Sequence, residues 1–90
     1  MALFLIERNF AEEQIVDPDS EFSARAKRVN DEIGIRWIYS YLSADKRKTY
    51  CLYEANDPEA IREAARRLGV PADTIIEVDA PVGPRVAAGS

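Results

Sequence analysis

The sequence has no histidine and a single cysteine, Cys51. The first absence removes Ser/His/Asp and Cys/His nucleophile systems, imidazole metal sites, and the side chain that most often moves protons near neutral pH. The second leaves no internal disulfide and no thiolate zinc site within one chain. No apolar run approaches the roughly 18–20 residues of a membrane helix. The Met1–Ile6 opening lacks the length and basic flank of a secretory leader. Positive charge is in deficit: 12 basic against 16 acidic residues give a net charge of −4. That balance argues against a nonspecific nucleic-acid binder. No Gly-rich phosphate loop or other cofactor fingerprint is present, so no cofactor is expected. The expectation is a cytoplasmic domain whose chemistry comes from carboxylates, tyrosines, Lys/Arg or one thiol.

What is present suits one compact fold. Ninety residues leave room for a single core, and 47% apolar residues are enough to build it. Residues 3–8 (LFLIER) run apolar and then charged, as a first strand would. The 9–19 stretch carries Pro18 and several acids and reads as a loop. Ser20 is placed to cap a helix whose apolar stripe is Phe22, Ala26, Val29 and Ile33, ended by Gly34. Residues 35–42 (IRWIYSYL) are β-branched and aromatic, 43–48 form a polar turn, and 49–55 (TYCLYEA) return as a second strand. Asp57-Pro58-Glu59 opens a second helix with Ile61, Ala64, Ala65 and Leu68 buried, and Gly69 closes it. Residues 74–78 (TIIEV) are the last strand. The order is β-α-β-β-α-β, an α+β, ferredoxin-like plan with a four-stranded antiparallel sheet and both helices on one face. The domain is expected over 1–79, with 80–90 a flexible tail.

Alternation sorts the strands into two faces. With Leu42 opposite Thr49 in a regular hairpin, Tyr41 faces Tyr50, Tyr39 faces Leu52, and Trp37 faces Glu54. The other side then holds Ile38, Ser40, Leu42, Cys51 and Tyr53, with Phe4, Ile6, Ile76 and Val78, under the helices. The uncovered side is expected to carry Trp37, Tyr39, Tyr41, Tyr50 and Leu52, joined by Leu3, Leu5, Ile75 and the acids Glu7, Glu54 and Glu77. An aromatic surface of this kind marks an interface or a pocket. The expected partner is a second copy of the chain, giving a homodimer through the open sheet face.

The run IRWIYSYLSADKRKTYCLYEA (35–55), the helix PEAIREAARRLG (58–69) and the close VPADTIIEV (70–78) resemble a family of small bacterial domains of unknown function. Some members are described as nickel-binding. The resemblance spans about Leu3 to Val78, carried by W-x-x-S-Y, T-Y-C-x-Y-E-A and P-E-A-I-R, and implies a ferredoxin-like fold assembled as a dimeric α/β barrel. Relatives often place histidine before the serine of the second strand and another in the second helix; here those positions are Tyr39 and Ala64. If the family's nickel binding carries over, the candidate donors are Glu7, Glu54, Glu77 or acids of the Glu12–Asp19 loop. Nickel prefers imidazole, nitrogen or thiolate donors, and carboxylates alone hold it more weakly.

Two function classes follow. In the first, the dimer binds a small molecule in the sheet cavity and acts as a cofactor-independent acid–base enzyme of isomerase or cyclase type. Glu54 or Glu7 would move a proton, and Tyr39, with Tyr41 and Tyr50, would orient a carbonyl. Trp37 would pack on the substrate, with Glu77 at the rim. In the second class the protein is non-catalytic, either a nickel or other divalent-metal binder or an interaction module.

Overall fold

Residues 1–15 and 17–84 are described by a computed structural model. Six elements follow one another: β1 (Ala2–Asn9), α1 (Glu21–Ile33), β2 (Arg36–Leu42), β3 (Lys48–Ala55), α2 (Pro58–Leu68) and β4 (Thr74–Val78). Residues 85–90, the end of the expected tail, lie outside the described residues.

Local chemistry fixes both helices. The Ser20 hydroxyl accepts the Ser23 N–H at 3.1 Å, and the Asp57 carboxylate accepts the Ala60 N–H at 2.9 Å. Each bond satisfies one of the orphan donors at a helix start. Both helices stop at a glycine in the left-handed region, Gly34 at φ 86° and Gly69 at φ 68°. A side chain there would be strained.

The strands form one antiparallel sheet in the order β2-β3-β1-β4. Sequential strands β2 and β3 make the hairpin, and β1 sits between β3 and β4. This is the ferredoxin-like α+β arrangement expected from the element order. The helix-covered face of the sheet packs Phe4, Ile6, Cys51, Tyr53 and Ala55 against Val29, Ile61 and Ala64. Ile6 and Ile61 are fully buried, and each contributes about 1.5–3 kcal/mol by leaving water. Among the described residues no helix is long and apolar enough to cross a membrane.

Two expectations about the faces are corrected. The first concerns β2. Its pairing with β3 runs regularly from Leu42–Thr49 to Tyr39–Leu52, and then a bulge at Ile38 shifts it. Trp37 therefore lies opposite Tyr53, and Arg36 lies opposite Glu54. One extra residue resets the alternation, so Trp37 moves to the helix side and Ile38 becomes half-exposed. The second correction concerns β4. Ile75 pairs with Ile6 and packs against the core, while Ile76 pairs with Leu5 and is 52% exposed. Glu77 pairs with Phe4 and so belongs to the helix side of this edge strand. Ile76 and Val78 replace Ile75 and Glu77 on the open face.

In α1, Ala26 and Val29 are buried as the stripe requires, but Phe22 stays exposed and Asn30 is buried instead. The reason is local: the first turn of α1 overhangs a cavity and not the packed core.

Candidate functional site

The open face carries Leu3, Leu5, Tyr39, Tyr41, Tyr50, Leu52, Ile76 and Val78, with no helix above them. Tyr39 and Tyr41, two apart on β2, meet edge to face with ring centres 5.6 Å apart. The structure thus brings together Glu7, Glu54, Tyr39, Tyr41 and Tyr50 on one surface, and leaves Trp37 and Glu77 off it.

Each open-face carboxylate has a cation beside it. Glu54 sits 3.2 Å from Arg36, its cross-strand partner. Glu7 lies 3.6 Å from Lys48 and accepts a 3.4 Å hydrogen bond from the Asn9 amide. Glu54 pairs with Leu3 in the β1–β3 register and Glu7 pairs with Tyr50. That spacing along the sheet separates the two acids by about 13 Å. They do not converge on one reacting atom within a chain.

The other side holds features that the sequence reading passed over. A cavity of about 410 Å³ opens between the sheet and the start of α1, bounded in part by Arg8, Thr49, Cys51, Tyr53, Ser40 and Trp37. A second hollow of about 460 Å³ adjoins it, shares Ser23 and Trp37 with it, and reaches Asn30. Trp37 stacks on Tyr53, with ring centres 6.5 Å apart, and its indole N–H donates to the Ser40 hydroxyl at 2.8 Å. The Arg8 guanidinium lies over the Tyr53 ring, 5.9 Å from its centre, and donates to the Pro71 carbonyl at 2.5 Å. Burial pushes the Tyr53 phenol above its ordinary pKa, with the nearby Arg8 charge and the donors of Arg8 and Asn30 pulling the other way. The phenol is a neutral donor at physiological pH. Asn30 Oδ1 is a buried acceptor with no partner among the described residues.

A signal for this side was present in the sequence. Phe4, Ile6 and Arg8 are spaced by two, so an arginine stood at a core-facing position of a half-buried strand. Cys51 is buried as expected, its thiol 3.7 Å from the Thr49 hydroxyl.

With fold and site in view, the class is clear: a small α+β domain of ferredoxin-like plan with one sheet face uncovered. The chain belongs to the SCO4226-like family, described as nickel-responsive proteins, whose model matches residues 4–78. It is similar in structure to SCO4226 from Streptomyces coelicolor A3(2), with a TM-score of 0.68 at 20% identity over 90% of this chain and 100% of that one. At that identity the likeness shows the fold. Comparison with curated proteins returns no match.

Nickel as a bound metal fits these residues poorly. Among the described residues no three His, Cys, Asp or Glu side chains cluster as a metal site. Glu7 and Glu54 are apart and ion-paired, and the Cys51 thiol lies on the opposite side of the sheet. Tyr39 and Ala64, the positions where the resemblance would put histidine, are also separated by the sheet: Tyr39 faces outward and Ala64 is buried in the core.

Proposed function

We propose that this protein is a homodimeric binding protein, paired through its open sheet face, that binds a small molecule and does not catalyse a reaction on it. The observation that carries the reading is the open face itself, a continuous surface of leucines, tyrosines, Ile76 and Val78 on which both carboxylates are already ion-paired. Apolar surface of this extent is normally covered. A two-fold interface must complement itself, and this face carries both signs of charge, Glu7 with Lys48 toward one end and Glu54 with Arg36 toward the other. Two such faces opposed give the dimeric α/β barrel of the sequence reading. The space between them is lined by Tyr39, Tyr41, Tyr50 and Leu52, which suits a ligand with an apolar body and a hydrogen-bonding edge.

Acid–base catalysis finds less support. A general base needs a carboxylate free to take a proton, and Glu54 and Glu7 each hold a cation instead. Nickel binding is favoured by family membership and opposed by the donor set. Non-denaturing mass spectrometry of the purified chain, before and after nickel, separates these readings. The expected result is a dimer without stoichiometric nickel. A monomer over the accessible concentration range overturns the interface, and one tightly held nickel per chain would restore the metal-binding reading.

A further inference from the structure

We propose that the cavity between the helix-side face of the sheet and the first turns of α1 binds a small monocarboxylate with an apolar body, using Arg8 as its counter-ion. This site lies on the opposite side of the sheet from the dimer surface and does not depend on it.

The argument starts from charge. Arg8 is only 7% exposed, and a buried cation without an anion is costly. Among the described residues six ion pairs join acids to Arg36, Lys48, Arg62, Arg66 and Arg67, all more exposed than Arg8. Among the described residues the most buried cation has no acid at all, in a chain with an excess of acids. Among the described residues its side chain makes one hydrogen bond of good geometry, to the Pro71 carbonyl, and also leans toward the Tyr53 phenol, which leaves donors over from the five that a guanidinium carries. Among the described residues none of its nitrogens is both sealed and unpaired, and Arg8 lines the cavity, so its remaining donors are within reach of an occupant. The stack over Tyr53 offsets part of the desolvation. An anion in the cavity would offset the rest.

The walls select the rest of the ligand. Phe10, Ala26, Trp37, Leu68 and Val70 give apolar surface, and Thr49, Ser40 and Tyr53 bring hydroxyl-bearing side chains to the same wall. The volume, about 410 Å³, falls in the usual range for small-molecule sites of about 300–1,000 Å³. A guanidinium matches a planar carboxylate through two parallel bonds. The other charged group on the wall is Asp17, exposed and already accepting the Asp19 N–H. One buried cation and one rim acid suit an anion of single charge better than a phosphate dianion.

The test uses the 90-residue chain and its single tryptophan, Trp37, which stands in the wall. Tryptophan emission is followed while acetate, hexanoate, benzoate and phenylacetate are added, with hexanamide and benzamide as neutral counterparts. At least one carboxylate is expected to give a saturable change at or below about 1 mM, with its amide weaker by about tenfold or more. Arg8→Met, checked for folding by circular dichroism, should lose this preference, and Arg8→Lys should keep part of it. The proposal fails if no carboxylate acts up to about 10 mM, if acid and amide act alike, or if folded Arg8→Met binds as the native chain does. Should Arg8→Met not fold, the acid–amide contrast in the native chain decides.

Discussion

On the helix side of the sheet the strands present Phe4, Ile6, Cys51, Tyr53 and Ala55, all buried, and one buried charged residue, Arg8, lacking an acid among the described residues. On the open side they present Leu3, Leu5, Tyr39, Tyr41, Tyr50 and Leu52, all at least partly exposed, and two acids that both have cations. The covered face has its apolar groups satisfied and a charge unanswered; the open face has its charges answered and its apolar groups in water. Each deficit points to a different occupant. Apolar excess is relieved by a second apolar surface, whereas a lone buried cation is relieved by an anion. Family membership alone would direct attention to nickel, and among the described residues neither face clusters three His, Cys, Asp or Glu side chains to hold it.

The comparison is sharpest at neighbouring residues of β1. Ile6→Ala should destabilise the fold by about 2–5 kcal/mol, because it leaves a cavity in a fully packed site. Leu5→Ala, one residue away and facing out, should cost roughly 1 kcal/mol or less at dilution. Urea unfolding of both variants at low protein concentration measures the difference. Equal costs would mean that the open face is covered from within the chain.

The next effect concerns Tyr41, 68% exposed on the open face. Dimerisation makes apparent stability depend on concentration, by about 3 kcal/mol at a hundredfold excess over the dissociation constant. Tyr41→Asp should abolish that dependence and yield a monomer by sedimentation equilibrium, with the helix-side core intact by circular dichroism. A concentration-independent melting temperature in the native chain would remove the premise.

A smaller effect tests the cover over the buried face. Asp57→Ala removes the carboxylate that caps α2 and should cost about 1 kcal/mol in urea unfolding. Dimerisation should survive it, since α2 is on the other side.

The smallest effect near neutrality is that of the Tyr53 hydroxyl, which shows itself in alkali. Its pKa in the folded chain is raised above the ordinary 10.0 by burial. Between 10.0 and the raised value the folded state holds a proton that the unfolded state has released. Stability therefore falls as pH rises through that interval and is unaffected below it. Tyr53→Phe should remove this component, read from unfolding free energies on either side of pH 10. An unchanged alkaline slope would show that the phenol is not desolvated.

The element order, both helix caps and both glycine stops were legible in the sequence, as were the burial of Cys51 and the outward placement of Glu7, Glu54, Tyr39, Tyr41 and Tyr50. These follow from short-range physics: capping hydrogen bonds, left-handed glycines, and a period of two along each regular strand. The placement of Trp37 and Glu77 was not legible. Nothing local in IRWIYSYL marks Ile38 as an extra residue, because the bulge exists only relative to the partner strand. Nothing local in TIIEV chooses between Ile75 and Ile76, since apolar residues stand at both parities; pairing with Leu5 and Ile6 on β1 makes the choice. The cavity beside Arg8 belongs to the same class. Alternation could place that arginine on the covered face, but only the packing of α1, α2 and three strands decides whether a buried charge meets an acid, a carbonyl or open space.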